Sequence, residues 1–440
     1  MLDFRANEGS IAMKEHLPIS ILLFFCVVLA LPVSAQEVQS YEAAGQEGQA
    51  GDVPVNGDEG IALGPFIFSP ALELTWQYRD NIYFAPPEFE EEDEVYLARA
   101  RLRFELPVYD SYIRFTYTPQ WRDYAKYPWR DKWAHFADVS GAFEFASGWK
   151  VSTGYKFLSG AMETREVDPG GEYMWGEREW DKHYFQLQAD YWFSATDGLS
   201  LEGDLADLTF EDPPVSDYAF HDYSQYAGGI GWLHQISPTA VMDIKYRHGE
   251  YDAEDPVGYR DNTSDELDLG FRGQLTELLS SEVSFGWRES EYDVRPGDPE
   301  IENYSSLVVR GGLGYELSES SNLRLDMIRT DYSSTVGENA YYTATGASLI
   351  YTLHLSRLTG QLRARYQEND YDLPVEVLDE DGVRRYHERL DEILTFGLGL
   401  SIRITDLLSV RGSYLYEDRE TMWPFYYETN IFVLGLVVGY

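Results

Sequence analysis

From about Ala71 to its end the chain alternates apolar and polar residues at a period of two, and no segment of convincing length carries a helical period. In 95–106, Tyr96, Ala98, Ala100, Leu102, Phe104 and Leu106 alternate with Arg99, Arg101, Arg103 and Glu105. The pattern recurs at 361–367, where Leu362, Ala364 and Tyr366 separate Gln361, Arg363, Arg365 and Gln367. It recurs again at 408–416, where Leu408, Val410, Tyr414 and Tyr416 separate Ser409, Arg411 and Ser413. Successive side chains of a strand point to opposite sides, so each segment predicts a strand with one greasy and one wet face. In the last ten residues Phe432, Leu434, Leu436, Val438 and Tyr440 share one face, with Gly435 and Gly439 on the other. A closing strand of this kind suits a transmembrane barrel, whose last strand must pair with its first to leave no open edge in lipid. Those five residues are therefore read as a C-terminal signal for the barrel-assembly machinery.

The breaks between strands alternate as well. Short turns fall near Pro107–Ser111, Ser147–Gly148, Thr196–Gly198, Ser237–Thr239, Leu278–Ser280, Glu319–Ser321, Leu355–Arg357 and Thr405–Leu407. Longer, mostly acidic segments lie between them, near 85–94, 126–131, 160–180, 211–220, 253–262, 294–302, 335–338, 372–386 and 419–426. Together these connections divide the chain into about eighteen strands, an even number that puts both ends on one side. Strands of roughly ten to sixteen residues are long enough to cross a bilayer at a tilt. Strands of a soluble sandwich or propeller usually run to about five or six. The expected fold is all-β: a transmembrane, up-and-down antiparallel β-barrel of about 18 strands over 66–440, in a bacterial cell outer membrane.

The composition adds a compartment. Of 440 residues 15% are aromatic, with 34 Tyr and 11 Trp, and there is a single cysteine. That Cys26 lies in the apolar run 17–31, after Lys14 and before Val33-Ser34-Ala35, the layout of a secretory signal peptide. Residues 1–35 are expected to be a leader with Met13 as the natural start, and residues 36–65 a disordered acidic periplasmic tail. The formal net charge of −42 repels nucleic acid, which is excluded as a partner.

If the apolar faces meet lipid, the other faces line a lumen rich in arginine. Arg79, Arg99, Arg101, Arg103, Arg114, Arg288, Arg324, Arg363, Arg365 and Arg411 are the candidate cargo contacts. Two readings of them stand side by side. Either they pair with acids on neighbouring strands and stiffen a wide wall, or they make a partly positive conduit for an anionic polymer or solute. The triplet Arg99, Arg101 and Arg103 is the candidate for an uncompensated positive ladder. Trp121, Tyr124, Tyr127, Trp129 and Trp133, with Tyr173 and Trp175, read as interfacial girdle residues or as stacking surfaces for sugar rings.

Catalysis is not expected. The histidines of the expected mature chain, at 135, 183, 221, 234, 248, 354 and 387, show no metal-ligand spacing, and there is no Gly-x-Ser-x-Gly elbow. His183 near Asp181 and His221 near Asp222 read as polar loop-edge pairs. No catalytic residue, metal or cofactor is expected; the acidic loops lack the twelve-residue calcium pattern and read as solvated.

The opening strand, 68–84, carries Pro70, then alternating apolar residues, and ends on Tyr78, Asp80, Asn81 and Tyr83 before an acidic loop. In this it resembles the putative β-barrel porin type 2 family, with a layout similar over about 68–440. The resemblance implies an outer-membrane export barrel linked with exopolysaccharide production and paired with a periplasmic polysaccharide-export protein, and it brings no catalytic residues. The expected function is translocation of a secreted polysaccharide. The alternatives are a diffusion porin for small solutes and a structural or adhesive barrel. The expected partners are outer-membrane lipid, the barrel-assembly machinery, a periplasmic polysaccharide-export protein and the polysaccharide cargo.

Overall fold

Eighteen long strands follow one another, beginning with β1 (Phe66–Arg79), β2 (Asp93–Val108), β3 (Ser111–Tyr124), β4 (Lys132–Glu144), β5 (Trp149–Glu163) and β6 (Glu177–Trp192). Then come β7 (Asp197–Phe210), β8 (Asp222–Ser237), β9 (Ala240–Glu254), β10 (Asn262–Gln274), β11 (Leu279–Tyr292) and β12 (Tyr304–Ser318). The last six are β13 (Ser321–Ser333), β14 (Tyr341–Leu355), β15 (Leu358–Tyr371), β16 (Leu390–Arg403), β17 (Leu408–Glu420) and β18 (Tyr427–Gly439). The computed structural model describes residues 60–109, 111–163, 172, 177–210, 221–254, 261–293, 301, 303–334, 339–378, 384–421 and 426–439. The expected leader, most of the expected tail, Tyr173, Trp175 and Tyr440 lie outside the described residues.

Each strand pairs antiparallel with the next, and β18 returns to pair with β1 from Ala71 opposite Gly439 to Arg79 opposite Ile431. The sheet is thus a closed barrel of eighteen strands, the form that leaves no backbone edge unpaired in hydrocarbon. Short turns join β2 to β3, β8 to β9, β12 to β13 and β14 to β15, while long connections such as 80–92 and 372–389 emerge at the other, external end. From the external connection 372–389 a small hairpin also rises, Val375–Leu378 against Arg384–His387.

Order begins earlier than the sequence suggested. Ile61–Leu63 folds back on Phe66–Phe68 around Gly64, whose φ of +65° suits glycine. The physical reason lies in the seam. β1 runs past the end of β18, and this short strand pairs with the otherwise open stretch.

The outward positions are apolar and open, as Leu267 (57% exposed) and Leu434 (55%) show, and they form the lipid face. Phe432, Leu434, Leu436 and Val438 all lie on that face, opposite Gly435 and Gly439. Trp121 and Trp133 pack together on the outside with ring centroids 5.2 Å apart, as girdle residues should. Tyr124 does not join them. It is buried on the inner side beneath Arg130, 4.9 Å from its ring centroid.

The seam is sensitive to added volume. A β-carbon on Gly439 would lie 2.5 Å from the Ala71 Cα and from the Pro70 carbonyl oxygen. On Gly399 it would meet nothing within 4 Å. Gly439→Val is therefore expected to lower the fraction of chain that migrates as the compact, heat-modifiable form on gels, while Gly399→Ala leaves it unchanged.

Candidate functional site

All ten candidate arginines sit on inward faces. The register shows why: Glu73 lies opposite Arg99, Arg411 opposite Gly435, and Arg288 opposite Glu266, each on the lumenal side of the pleat. The ladder on β2 is not uncompensated. Arg99 lies 3.6 Å from Glu73 and donates to Gln120, while Arg103 lies 2.8 Å from Glu105. Closure is what the sequence could not display. It brings β17 within reach of β1, so Glu73 also receives Arg411, and the neighbouring β3 lets Arg114 reach Glu105 at 3.0 Å. Arg324 pairs with Asp326 at 2.7 Å along its own strand, and Arg365 donates to Gln367.

On the opposite side the wall is a denser lattice. Glu202 takes Lys245 and Arg247, each at 3.2 Å, and Arg247 also binds Asp204. Glu266 takes Arg310, while Arg288 reaches Asp331 at 3.1 Å. Arg272 reaches Asp190 at 3.4 Å, a contact between β10 and β6 that skips three strands and so passes through the interior. A cavity of about 690 Å³ lies within this region, lined from Tyr184 on β6 round to Gln367 on β15.

Above the charged zone the inward positions turn aromatic. Trp180, Phe210, Tyr223 and Tyr251 form one buried cluster, with Leu208 and Ala253. Tyr342 and Tyr371 form another, their centroids 5.2 Å apart, and Tyr427 packs edge-on against Phe84 of the first external loop. External connections fold onto this collar. Ile301, Ala340 and Leu373, from three different loops, join Tyr292 and Tyr304, and the Asp372 carboxylate accepts the Ala340 and Tyr341 N–H groups. Ser334 donates to Glu172 at 2.7 Å with both residues fully buried, linking the β5–β6 connection to the end of β13.

Two polar clamps hold the collar. Asp391 is fully buried and receives Arg389 at 2.8 Å, Arg419 at 2.7 Å and the Thr421 hydroxyl. Burial alone would favour a neutral Arg389, but the Asp391 charge outweighs it and holds the guanidinium above its ordinary pKa. The second clamp is the Asp80–Asn81 pair of the opening strand. Asp80 accepts the Asn430 backbone and side-chain N–H groups at 2.7 and 2.6 Å, and buried Asn81 donates to the carbonyls of Ala85 and Glu428. Both tie β1 to β18.

In the exposed first loop, hydrogen bonds from Lys126 and Tyr78 hold Glu92 below the usual carboxylate range. That contact is complete above the ordinary glutamate pKa and is lost as pH falls through the lowered one.

Sequence reasoning missed the collar because period-two alternation assigns a face, not a depth. The available signal was an aromatic at the last inward position of several strands, as at Phe210, Tyr292 and Tyr371. His183, paired in the sequence with Asp181, instead bonds the Tyr155 hydroxyl at 2.7 Å on the outer surface.

Residues 54–440 match the family described as "Putative beta-barrel porin 2". No curated protein matches this chain. Solved structures similar to it include the FrpB iron transporter from Neisseria meningitidis, at 9% identity and a TM-score of 0.44. That match covers 80% of this chain and 62% of the transporter, so this chain spans under two thirds of the transporter's length. The siderophore receptor PirA from Pseudomonas aeruginosa is similar at 7% identity and a TM-score of 0.44, with 85% of this chain and 80% of the receptor covered.

Proposed function

Because the chain belongs to the putative beta-barrel porin 2 family, we propose that this outer-membrane barrel translocates a secreted polysaccharide in a bacterial envelope. The observation that carries the reading is a polar wall beneath a roofed external mouth. The wall offers many guanidinium, hydroxyl and amide groups, most of them already engaged with neighbours, so a passing polymer meets numerous weak contacts and no single tight site. The collar and the converging loops form the roof. A polymer exporter needs a mouth that stays shut when unloaded, since eighteen strands enclose a wide lumen. On this reading the protein is not an enzyme, and a periplasmic polysaccharide-export protein delivers the cargo.

A diffusion porin for small solutes is the second reading, favoured by one observation. Glu172, between β5 and β6, is fully buried and accepts the Ser334 hydroxyl, so this one residue lies inside the mouth as a constriction residue would. Deleting the gene separates the two. Export predicts loss of surface polysaccharide with solute uptake intact; a diffusion porin predicts retained polysaccharide and slowed uptake.

A further inference from the structure

We infer that the cargo path follows one side of the lumen, the wall around the β1–β18 seam, and that it favours anionic groups such as carboxylate, sulfate or phosphate on a polymer or solute. The inference rests on the channel reading above and adds the chemistry of what passes. Its basis is an imbalance of charge between two opposite arcs of the wall, taken between the aromatic collar and the periplasmic rim.

The seam arc runs from β15 through β18 to β3. Its inward charges are Arg363 and Arg365 on β15, Arg411 on β17, the Arg99, Arg101 and Arg103 triplet on β2, and Arg114 and Arg122 on β3. Three carboxylates face them: Glu73, Glu105 and Glu417. Two of the three are each shared by two arginines, Glu73 by Arg99 and Arg411, and Glu105 by Arg103 and Arg114. Sharing satisfies the geometry but leaves net positive charge on the wall. Between these arginines β16 and β18 present small or apolar residues, Gly397, Gly399, Val433 and Gly435, so the positive groups flank a low strip.

The arc on the other side, β7 to β11, is centred nine strands from β18 and has the reverse balance. Glu202, Asp204, Asp243, Glu266, Asp268 and Glu282 face Lys245, Arg247, Arg272 and Arg288. Its long side chains also meet across the interior, as Arg272 and Asp190 do, and fill that side. A low-dielectric wall focuses such a field into the water between the arcs. An anionic group is therefore drawn to the seam and held off the far wall.

Whole-molecule attraction cannot imitate this, because a formal net charge of −42 repels polyanions. Binding of a polyanion thus reports a local positive surface. The test is calorimetric titration of the detergent-solubilised full chain with low-mass dextran sulfate, and in parallel with uncharged dextran. Dextran sulfate is expected to bind with an affinity that falls as salt rises. R363Q/R365Q is expected to weaken it roughly fivefold or more, while K245Q/R272Q on the far wall weakens it much less. Heat-modifiable migration checks that each variant folds, and the single variants R363Q and R365Q replace any double variant that does not.

Equal affinity for the two dextrans would overturn the inference, as would equal losses for the two walls. Failure of the export reading looks different. A deletion strain that keeps its surface polysaccharide refutes export while leaving polyanion binding at the seam intact.

Discussion

Asp391→Ala is expected to destabilise the barrel by about 3–5 kcal/mol, the usual cost of stranding a buried charge whose partner is removed. The side chains of Asp391, Arg389 and Arg419 are at most 3% exposed, so neither guanidinium can recover its lost partner from water. Arg389 also stacks over Tyr371, 4.1 Å from its ring centroid, so the damage extends into the aromatic collar. Urea unfolding in phospholipid vesicles measures the effect. Replacing all three by leucine is expected to fall nearer the wild type, because no charge is then stranded. A loss under about 1 kcal/mol for the single variant would show that water reaches the clamp.

The second large effect lies on the lipid face. Leu398 sits midway along β16 and is 39% exposed on the outer surface. Leu398→Arg is expected to cost about 2–4 kcal/mol in a bilayer, the range for a cation placed near the midplane on a barrel's outer face. Its chain neighbour Gly399 points the other way with room for a β-carbon, so Gly399→Ser is expected to be nearly neutral. The same pair of variants in urea-titrated vesicles decides it. Similar costs at both positions would mean that the two faces do not meet different solvents.

Much of the barrel was readable from the chain because strand faces obey a local rule. The alternation around Arg99, Arg101 and Arg103 assigned those residues to the lumen, and the same rule puts Phe432, Leu434, Leu436 and Val438 on the outer face, where they lie. The turns near Ser237–Thr239 and Glu319–Ser321 fall where β8 meets β9 and β12 meets β13. What stayed hidden depends on closure and depth. Glu73 and Arg411 are far apart in sequence and meet only once β18 has paired with β1. Tyr251 and Tyr371 look like any strand aromatic, and only the loops that fold onto them reveal a collar. The Asp80–Asn81 pair stands in the sequence as the end of the opening-strand motif, but its work as a seam clamp requires Asn430 and Glu428 beside it. Whether the lumenal arginines were structural or conductive was a choice between two readings. The ion pairs support the first for Arg99 and Arg103 individually, and the imbalance between opposite walls motivates the second for the seam as a whole.

The most direct test of the account is a cysteine scan along β16 in a Cys26→Ser background, since that is the chain's only cysteine. Single cysteines at Leu394, Thr395, Phe396, Gly397, Leu398 and Gly399 would be exposed, in vesicles, to a charged, water-soluble thiol reagent. The account predicts strict alternation, with 395, 397 and 399 labelled from the aqueous lumen and 394, 396 and 398 protected by lipid. Uniform labelling of all six positions, or protection of all six, would contradict it.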